Sequence, residues 1–208
     1  MTAAREGVDR RGMGALAVGH MMADSCQGAV PALLPFLVSQ RGYSYAAASG
    51  LILAATVSSS VIQPIFGHYS DRRSLVGLIP LGPVVAGIGI ALVGIAPSYL
   101  LTFLAVVLSG LGVAAFHPEG SRFANYVSGR KRASGMSFFG LGGNIGFALG
   151  PVIVTPLVLA FGLSGTLFMV IPGALVAPAA APTRLSSTLS TLPPAVVKAP
   201  GQGVIPRT

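Results

Sequence analysis

The sequence predicts an all-α membrane protein with six transmembrane helices. Of its 208 residues, 52% are hydrophobic and only 9% are charged, whereas soluble domains carry about 25% charged residues. Such a chain has too little charge to cover a surface that faces water. Its apolar residues are too frequent for intrinsic disorder over most of the length, and the lone Cys26 excludes a disulfide-bonded scaffold.

Apolar runs long enough to cross a bilayer define the expected spans, because about 20 helical residues traverse the hydrocarbon core. These spans cover residues 13–39, 45–67, 75–96, 98–117, 133–160 and 163–180. Short segments rich in Gly, Pro or charge separate them. The sixth span is shorter than the others and is interrupted by Pro172 and Pro178.

The spans divide the chain into a cytoplasmic N-terminal segment (1–12), a six-helix bundle (13–181) and a tail (182–208). In the tail, Pro, Ser and Thr replace the apolar pattern, which predicts disorder. The tail is either natural or the product of a truncated or shifted reading frame. Arg10 and Arg11 before an apolar run also suggest a signal peptide. Because polar residues interrupt that run and no small-x-small cleavage site follows, we expect the first span to remain uncleaved.

Basic residues lie almost entirely on one side of the expected spans. Those on the N-terminal side are Arg5, Arg10, Arg11, Arg72, Arg73, Arg122, Arg130, Lys131, Arg132 and Arg184. The other side has only Arg41. Because cytoplasmic loops are enriched in Lys and Arg, both termini are predicted to be cytoplasmic. This loop distribution explains the net charge of +8 without a nucleic-acid partner.

The first span carries a polar stripe in the middle of its apolar run. His20, Asp24, Gln27 and Pro31 are spaced by four, three and four residues and therefore lie on one helical face. A charged group at the bilayer centre costs about 2.5–3.5 kcal/mol and normally faces a protein interior or a wet cavity. Asp24 therefore needs a partner, and His20, one turn away, can share a proton with it.

Three further spans carry polar residues, whereas the third and sixth have almost none. They are Thr56, Ser60 and Gln63 in the second span, His117 and Glu119 at the end of the fourth, and Ser137, Asn144 and Thr155 in the fifth. We expect spans one, two, four and five to line a polar cavity and the other two to act as scaffold. The alternative is that hydroxyls bond to their own backbone, that amides join helices and that His117 and Glu119 form a helix end.

Small residues recur at helical spacing in the fifth span. Gly142, Gly146 and Gly150 follow one another every four residues, and Pro151 comes next. Such a stripe allows a neighbouring helix to approach closely, and the proline permits a bend.

The short loop after the second span carries Asp71, Arg72 and Arg73. These residues are either an N-cap with topogenic positive charge or an interhelical charge lock that opens and closes. No sequence pattern for a nucleophile, a phosphate loop or a metal site is present, so neither an enzyme, a metal nor a cofactor is expected.

Several of these segments resemble the major facilitator superfamily. Residues 67–73 (GHYSDRR) are similar to its loop signature, although Ser74 stands where Gly is usual. Gly146-x-x-x-Gly150-Pro151 resembles the antiporter motif of its fifth span, without the trailing Gly-Gly. Residues 19–35 (GHMMADSCQGAVPALLP) and 110–120 (GLGVAAFHPEG) are similar to the fosmidomycin-resistance branch.

This resemblance implies a drug efflux carrier in the plasma (inner) membrane that exports fosmidomycin-like or other small molecules in exchange for protons. It also implies a cavity lined by the first, second, fourth and fifth helices. The superfamily has twelve spans in two six-helix halves, and this chain would supply the first half. Either two copies pair, a second polypeptide completes the site, or the chain is an inactive fragment.

On this interpretation each group of polar residues has an expected role. Asp24 with His20 takes up and releases a proton, and His117 with Glu119 forms a second proton or anion site. The remaining assignments are a substrate path along Gln27, Gln63 and Asn144, and a cytoplasmic gate of Asp71, Arg72 and Arg73. The rival interpretations are a six-span subunit that needs a partner protein, a small homodimeric channel and a non-functional fragment.

Overall fold

The computed structural model describes residues 7–72 and 75–179, and every regular element within these ranges is helical. The α-helices are α1 (Arg10–Arg41), α2 (Tyr45–Thr56), α3 (Gln63–Arg72), α4 (Leu78–Ile95), α5 (Tyr99–Val127), α6 (Arg132–Phe161) and α7 (Val170–Ala179). A π-helical segment, Val57–Val61, joins α2 to α3, and a 3-10 segment, Gly162–Met169, joins α6 to α7. The predicted tail, 182–208, lies outside the described residues.

Five helical segments are long and apolar enough to cross a membrane, so the predicted count of six is not confirmed. They are Arg10–Arg41, Tyr45–Ser70, Leu78–Ile95, Tyr99–Val127 and Arg132–Leu175. The fifth contains the fifth predicted span and most of the sixth, which was expected to reach residue 180. Within it the chain turns at Gly162, whose φ of +62° favours glycine. The sixth predicted span then begins as a 3-10 segment, which leaves only the ten residues of α7 in α-helix.

The ends of α1 follow from local sequence. The Asp9 side chain accepts hydrogen bonds from the backbone N–H groups of Arg11 and Gly12, both at 3.1 Å, and so caps the helix. At the other end Gly42 adopts a left-handed conformation (φ +67°), and its N–H bonds back to the last turn. Helix α1 therefore extends a few residues beyond the predicted 13–39 in both directions.

Helix α5 corrects the prediction that the fourth span ends at His117. It continues through Pro118 to Val127 because the charged residues there are paired inside the protein. Glu119 is fully buried and accepts hydrogen bonds from the Arg122 Nη2 and Nε atoms at 2.6 and 3.1 Å.

The same ion pair braces the loop between α3 and α4 from both sides. Glu119 Oε1 accepts the backbone N–H of Leu75 at 2.7 Å. Arg122 Nη1 donates to the Ser70 carbonyl at 3.4 Å. Ser70 precedes and Leu75 follows the undescribed residues 73 and 74. The Glu119–Arg122 ion pair therefore holds both sides of this loop to α5.

Helices α1 and α6 run parallel and touch backbone to backbone. A Cβ atom at Gly142, Gly146 or Gly150 would collide with the backbone of α1 at Ala17, Met21 or Ser25, respectively. The contact is mutual, because a Cβ at Gly28 of α1 would collide with the Phe147 carbonyl of α6. Glycine is thus required along this contact. Pro151, which follows Gly150, lies within α6.

Helix α4 lies between α5 and the segment that follows Gly162. A Cβ at Gly89 would collide with Ser109 of α5, and one at Gly87 with the backbone at Met169. Its C-terminal end is closed by Arg41, whose guanidinium donates to the carbonyls of Ala96 and Gly94. A cation at a helix C-terminus is favourable, so the one basic residue on the far side of the predicted spans has a structural partner.

The α1–α6 contact predicts a position-dependent effect of adding one methyl group to α6. Gly146→Ala should lower stability by about 1–3 kcal/mol, because the new Cβ meets the Met21 backbone, which cannot give way as a side chain can. Gly140→Ala is the matched control, because a Cβ there meets nothing within 4 Å. It should be neutral or stabilising by up to about 1 kcal/mol.

The measurement is the fraction of detergent-solubilised protein that remains monodisperse after heating. Equal melting of the two variants would contradict the proposed backbone contact.

The buried ion pair predicts a second effect, on the loop after α3. Glu119→Gln should destabilise the protein by about 1.5–3 kcal/mol, because it replaces the charge-assisted hydrogen bonds of the buried Glu119 carboxylate to Arg122 and the Leu75 N–H by weaker neutral ones. Limited trypsin digestion should then cut faster after Arg72, which is exposed at the end of α3.

Arg122→Lys is the control, since it keeps the charge and loses only the forked geometry. It should be cut at an intermediate rate. Digestion of Glu119→Gln at the wild-type rate would show that the pair does not brace the loop.

Candidate functional site

Two histidines and an aspartate meet inside the bundle. His20 and Asp24 lie one turn apart on α1, and His117 comes from α5. The His20 Nε2 and His117 Nε2 atoms are 3.1 Å apart. Asp24 Oδ2 lies 3.3 Å from His20 Nε2, and Asp24 Oδ1 lies 3.3 Å from His117 Nε2. We call these three residues the His-Asp-His cluster.

Both imidazole rings are oriented by backbone carbonyls. His20 Nδ1 donates to the Phe139 carbonyl of α6 at 2.9 Å. His117 Nδ1 donates to the Val113 carbonyl, one turn earlier on α5, at 2.7 Å. A carbonyl oxygen can only accept, so each Nδ1 carries a hydrogen. In a neutral imidazole the other nitrogen is then an acceptor. The two Nε2 atoms therefore face each other with lone pairs unless a positive species lies between them.

The Asp24 carboxylate is only partly satisfied. Its Oδ1 atom is buried and accepts no hydrogen bond of good geometry, although His117 Nε2 lies at ion-pair distance. Within the described part of the chain, the Asp24 carboxylate lies at ion-pair distance from the two imidazoles. An incompletely paired carboxylate in the middle of an apolar helix is costly, which is typical of a functional group.

The walls around the cluster are aromatic rings and a glycine. The His20 ring stacks on Phe139, with centroids 4.2 Å apart, and lies 5.9 Å from Phe116. A Cβ at Gly143 would come within 2.5 Å of His20 Nε2 and 2.7 Å of Asp24 Oδ2. Gly143 thus allows His20 and Asp24 to pack closely against the backbone of α6. The side chains of Asp24 and His117 remain 17% and 21% exposed, so the cluster is not fully enclosed.

Glu119 lies apart from this cluster, which corrects the expectation that it forms a second site with His117. The two side chains point to different partners: His117 to His20 and Asp24, and Glu119 to Arg122 and the Leu75 N–H. Two residues of separation on a helix correspond to about 200° of rotation, so neighbouring polar residues here serve different sides of α5.

The expected substrate-path residues do not gather around the cluster. Gln63 donates its Nε2 hydrogen to the Ser59 carbonyl at 2.7 Å, within its own span. Asn144 is exposed on α6, next to Gly143, and Gln27 is half-buried on α1, one turn beyond Asp24. Spans one and four supply the three residues of the cluster, span five supplies the Phe139 carbonyl that orients His20, and the second span contributes none of the described contacts.

The expected gate is described only in part. Arg72 is exposed in the last turn of α3, and Asp71 lies in the same turn, but nothing is described of its side chain. Arg73 lies outside the described residues. The described contacts across this loop come instead from Glu119 and Arg122.

The sequence did not reveal the meeting of His20 with His117, because 97 residues separate them. Three histidines on separate spans looked scattered, and no metal-binding spacing was recognised. In the structure the ligand-capable atoms of His20, Asp24 and His117 all lie within 4.8 Å of one another. The third histidine, His68, is exposed on α3.

Comparisons with known proteins agree on the family. Residues 16–203 match the model of the Major Facilitator Superfamily. The chain is similar to YfnC, an uncharacterised MFS-type transporter of Bacillus subtilis (strain 168), with 36% identity over 144 residues, which are 69% of this chain and 35% of that protein. It is also similar to the fosmidomycin resistance protein of Escherichia coli (strain K12), with 31% identity over 146 residues, 70% of this chain and 36% of that protein.

The chain thus spans about a third of the length of the curated relatives that it matches. The resemblance to the fosmidomycin-resistance branch, inferred from residues 19–35 and 110–120, is confirmed by the second relative. Five apolar helical segments and the family together indicate a multi-pass membrane protein. The chain belongs to the major facilitator superfamily.

Proposed function

We propose that this chain forms the N-terminal half of a membrane carrier that exports fosmidomycin-like or other small molecules in exchange for protons. The observation that carries the proposal is the His-Asp-His cluster in the interior of an otherwise apolar bundle. The fosmidomycin resistance of the E. coli relative supports the direction and the class of substrate. A carrier of this family moves its substrate and does not transform it, so no enzymatic step is proposed.

The geometry of the cluster suits the binding of one proton. Two Nε2 lone pairs at 3.1 Å repel each other. One proton on either Nε2 replaces this repulsion with a hydrogen bond and places a positive charge beside the Asp24 carboxylate. The protonated cluster is then neutral overall, and the unprotonated cluster carries one negative charge.

That change in net charge supplies a reason for coupling to a conformational change. A net charge in the bilayer interior costs about 2.5–3.5 kcal/mol unless water or a counter-charge reaches it. The unprotonated cluster therefore favours a state open to water, and the neutral cluster tolerates closure. Asp24, His20 and His117 are the coupling residues in this scheme. Gln27 on α1 and Asn144 on α6 remain proposed substrate contacts. Gln63 is proposed as a substrate contact only in a state in which its hydrogen bond to the Ser59 carbonyl is broken.

The rest of the carrier must come from a second six-span unit. Substrate in this superfamily is held between two halves, so a second half would pack against this one. We propose that the turn at Gly162 separates a fifth and a sixth crossing, which places both termini in the cytoplasm and the carrier in the plasma (inner) membrane. The second unit is a further polypeptide segment or a second copy of this chain.

A chimera tests the proposed coupling directly. The stretch of the E. coli fosmidomycin resistance protein that matches this chain is replaced by the corresponding residues of this chain, and the chimera is expressed in a strain that lacks the native protein. We expect the chimera to raise the fosmidomycin concentration needed to stop growth. Asp24→Asn should abolish this resistance, because the neutral amide cannot balance a protonated imidazole.

His68→Gln is the matched control, since His68 lies on α3 outside the cluster. It should retain full resistance. An Asp24→Asn chimera that is present in the membrane and still confers full resistance would remove Asp24 from the coupling. Resistance from this chain expressed alone would favour a pair of identical halves over a separate second polypeptide.

A further inference from the structure

We propose that the His-Asp-His cluster binds one divalent transition-metal ion of the zinc class, with His20 Nε2, His117 Nε2 and the Asp24 carboxylate as ligands. The inference uses the residues of the proposed coupling site but does not depend on transport. It concerns a second kind of cation that the same atoms can hold.

The first argument is the type and spacing of the ligand atoms. Imidazole nitrogen and carboxylate oxygen are common ligands of Zn²⁺, at about 2.0–2.2 Å. Two atoms at about 2.1 Å from one ion are about 3.0–3.4 Å apart when they subtend the angles of octahedral or tetrahedral coordination. The nitrogen–nitrogen separation is 3.1 Å, and each Nε2 lies 3.3 Å from a different oxygen of Asp24, so all three distances fall within that interval. This arrangement fits an ion bound by both carboxylate oxygens and both imidazoles.

The second argument is the orientation of the rings. Histidines that ligate a metal almost always donate their other ring N–H to a carbonyl or a carboxylate, which fixes the tautomer and aims the free nitrogen at the metal. Both histidines meet this condition through the carbonyls of Phe139 and Val113. The two rings are therefore already aimed at a common point before any ion is bound.

The third argument is that the Asp24 carboxylate is incompletely paired with positive charge. Asp24 Oδ1 is buried without a hydrogen bond of good geometry, and within residues 7–72 and 75–179 its carboxylate lies at ion-pair distance from the two imidazoles. A divalent cation satisfies the carboxylate and both lone pairs at once. Gly143 lies against His20 Nε2 and Asp24 Oδ2, so the absence of a side chain there allows these ligand atoms to approach α6 closely.

Cobalt(II) titration of the full-length chain in detergent tests this inference. The protein carries a purification tag without histidine, and Co²⁺ stands in for Zn²⁺ because its visible absorption reports imidazole and carboxylate coordination. We expect one saturable site per chain, and Zn²⁺ should abolish the absorption by displacing Co²⁺. Asp24→Asn and His117→Gln should each weaken binding at least tenfold.

Two further variants keep the test decisive if a ligand substitution disturbs folding. Gly143→Ala keeps all three ligand residues but puts a methyl group 2.5 Å from His20 Nε2 and 2.7 Å from Asp24 Oδ2. These ligand atoms must then shift, so the variant should also weaken binding. His68→Gln should bind as the wild type does. Helix content by circular dichroism and elution as a single species confirm that each variant is folded.

Absence of saturable binding by the folded wild-type chain would overturn the proposal, and so would binding by Asp24→Asn at wild-type affinity. Loss of binding in His68→Gln would place the metal elsewhere and would also overturn it. The outcome is distinguishable from that of the carrier proposal. A chain that binds no metal, together with a chimera whose resistance needs Asp24, would reject the metal site and keep the carrier.

Discussion

The backbone contact between α1 and α6 is the constraint on which the interior of this bundle depends. Glycines on both helices allow the two backbones to touch, as at Gly28 and Gly146. Only at that separation can the Phe139 carbonyl of α6 reach His20 Nδ1 on α1. The bond fixes the ring and leaves His20 Nε2 facing His117. The chemistry of the cluster is therefore a product of helix packing and not of the local sequence around His20 alone.

The described charged and polar groups inside the bundle fall into two kinds. Glu119 and Arg41 have their partners: Glu119 accepts from Arg122 and the Leu75 N–H, and Arg41 donates to the end of α4. These groups hold helices and loops together. Asp24 differs, because one of its oxygens is buried without a good hydrogen bond. Ser70 Oγ is also buried without a hydrogen-bond partner, but it is neutral, whereas an incompletely paired carboxylate in an apolar medium carries a much larger cost.

The helical class and most of the span positions could be predicted from the sequence, because apolar length is a strong signal. The first prediction, 13–39, lies within the observed Arg10–Arg41. The glycine stripe of the fifth span was recognised because its spacing is local. The end of α5 was placed too early, because the run His117-Pro118-Glu119 looks like a helix end until Arg122 neutralises Glu119. The sixth span was not confirmed, because hydropathy does not show how a chain turns at Gly162.

The candidate site was predictable only where its residues are close in sequence. His20 and Asp24 were paired correctly by helical spacing. The contribution of His117 requires knowledge of which face of α5 meets α1, and periodicity does not supply it. The stripe of Thr56, Ser60 and Gln63 depends on an assumption about helical geometry. It assumes 3.6 residues per turn, whereas Val57–Val61 is a π-helix, in which each turn holds an additional residue.

That wide turn has a mechanical consequence for the second membrane-crossing segment. A π-helical turn holds one more residue than an α-helical turn. It can convert to α-helical geometry without interrupting the helix. This conversion would shift the register of the following residues by one relative to those before the π-helix. One residue in an α-helix corresponds to a rotation of about 100° and a rise of about 1.5 Å along the axis. Helix α3 would then rotate as a rigid body. Its last turn, which ends at Arg72, would expose a different face to the lipid headgroups.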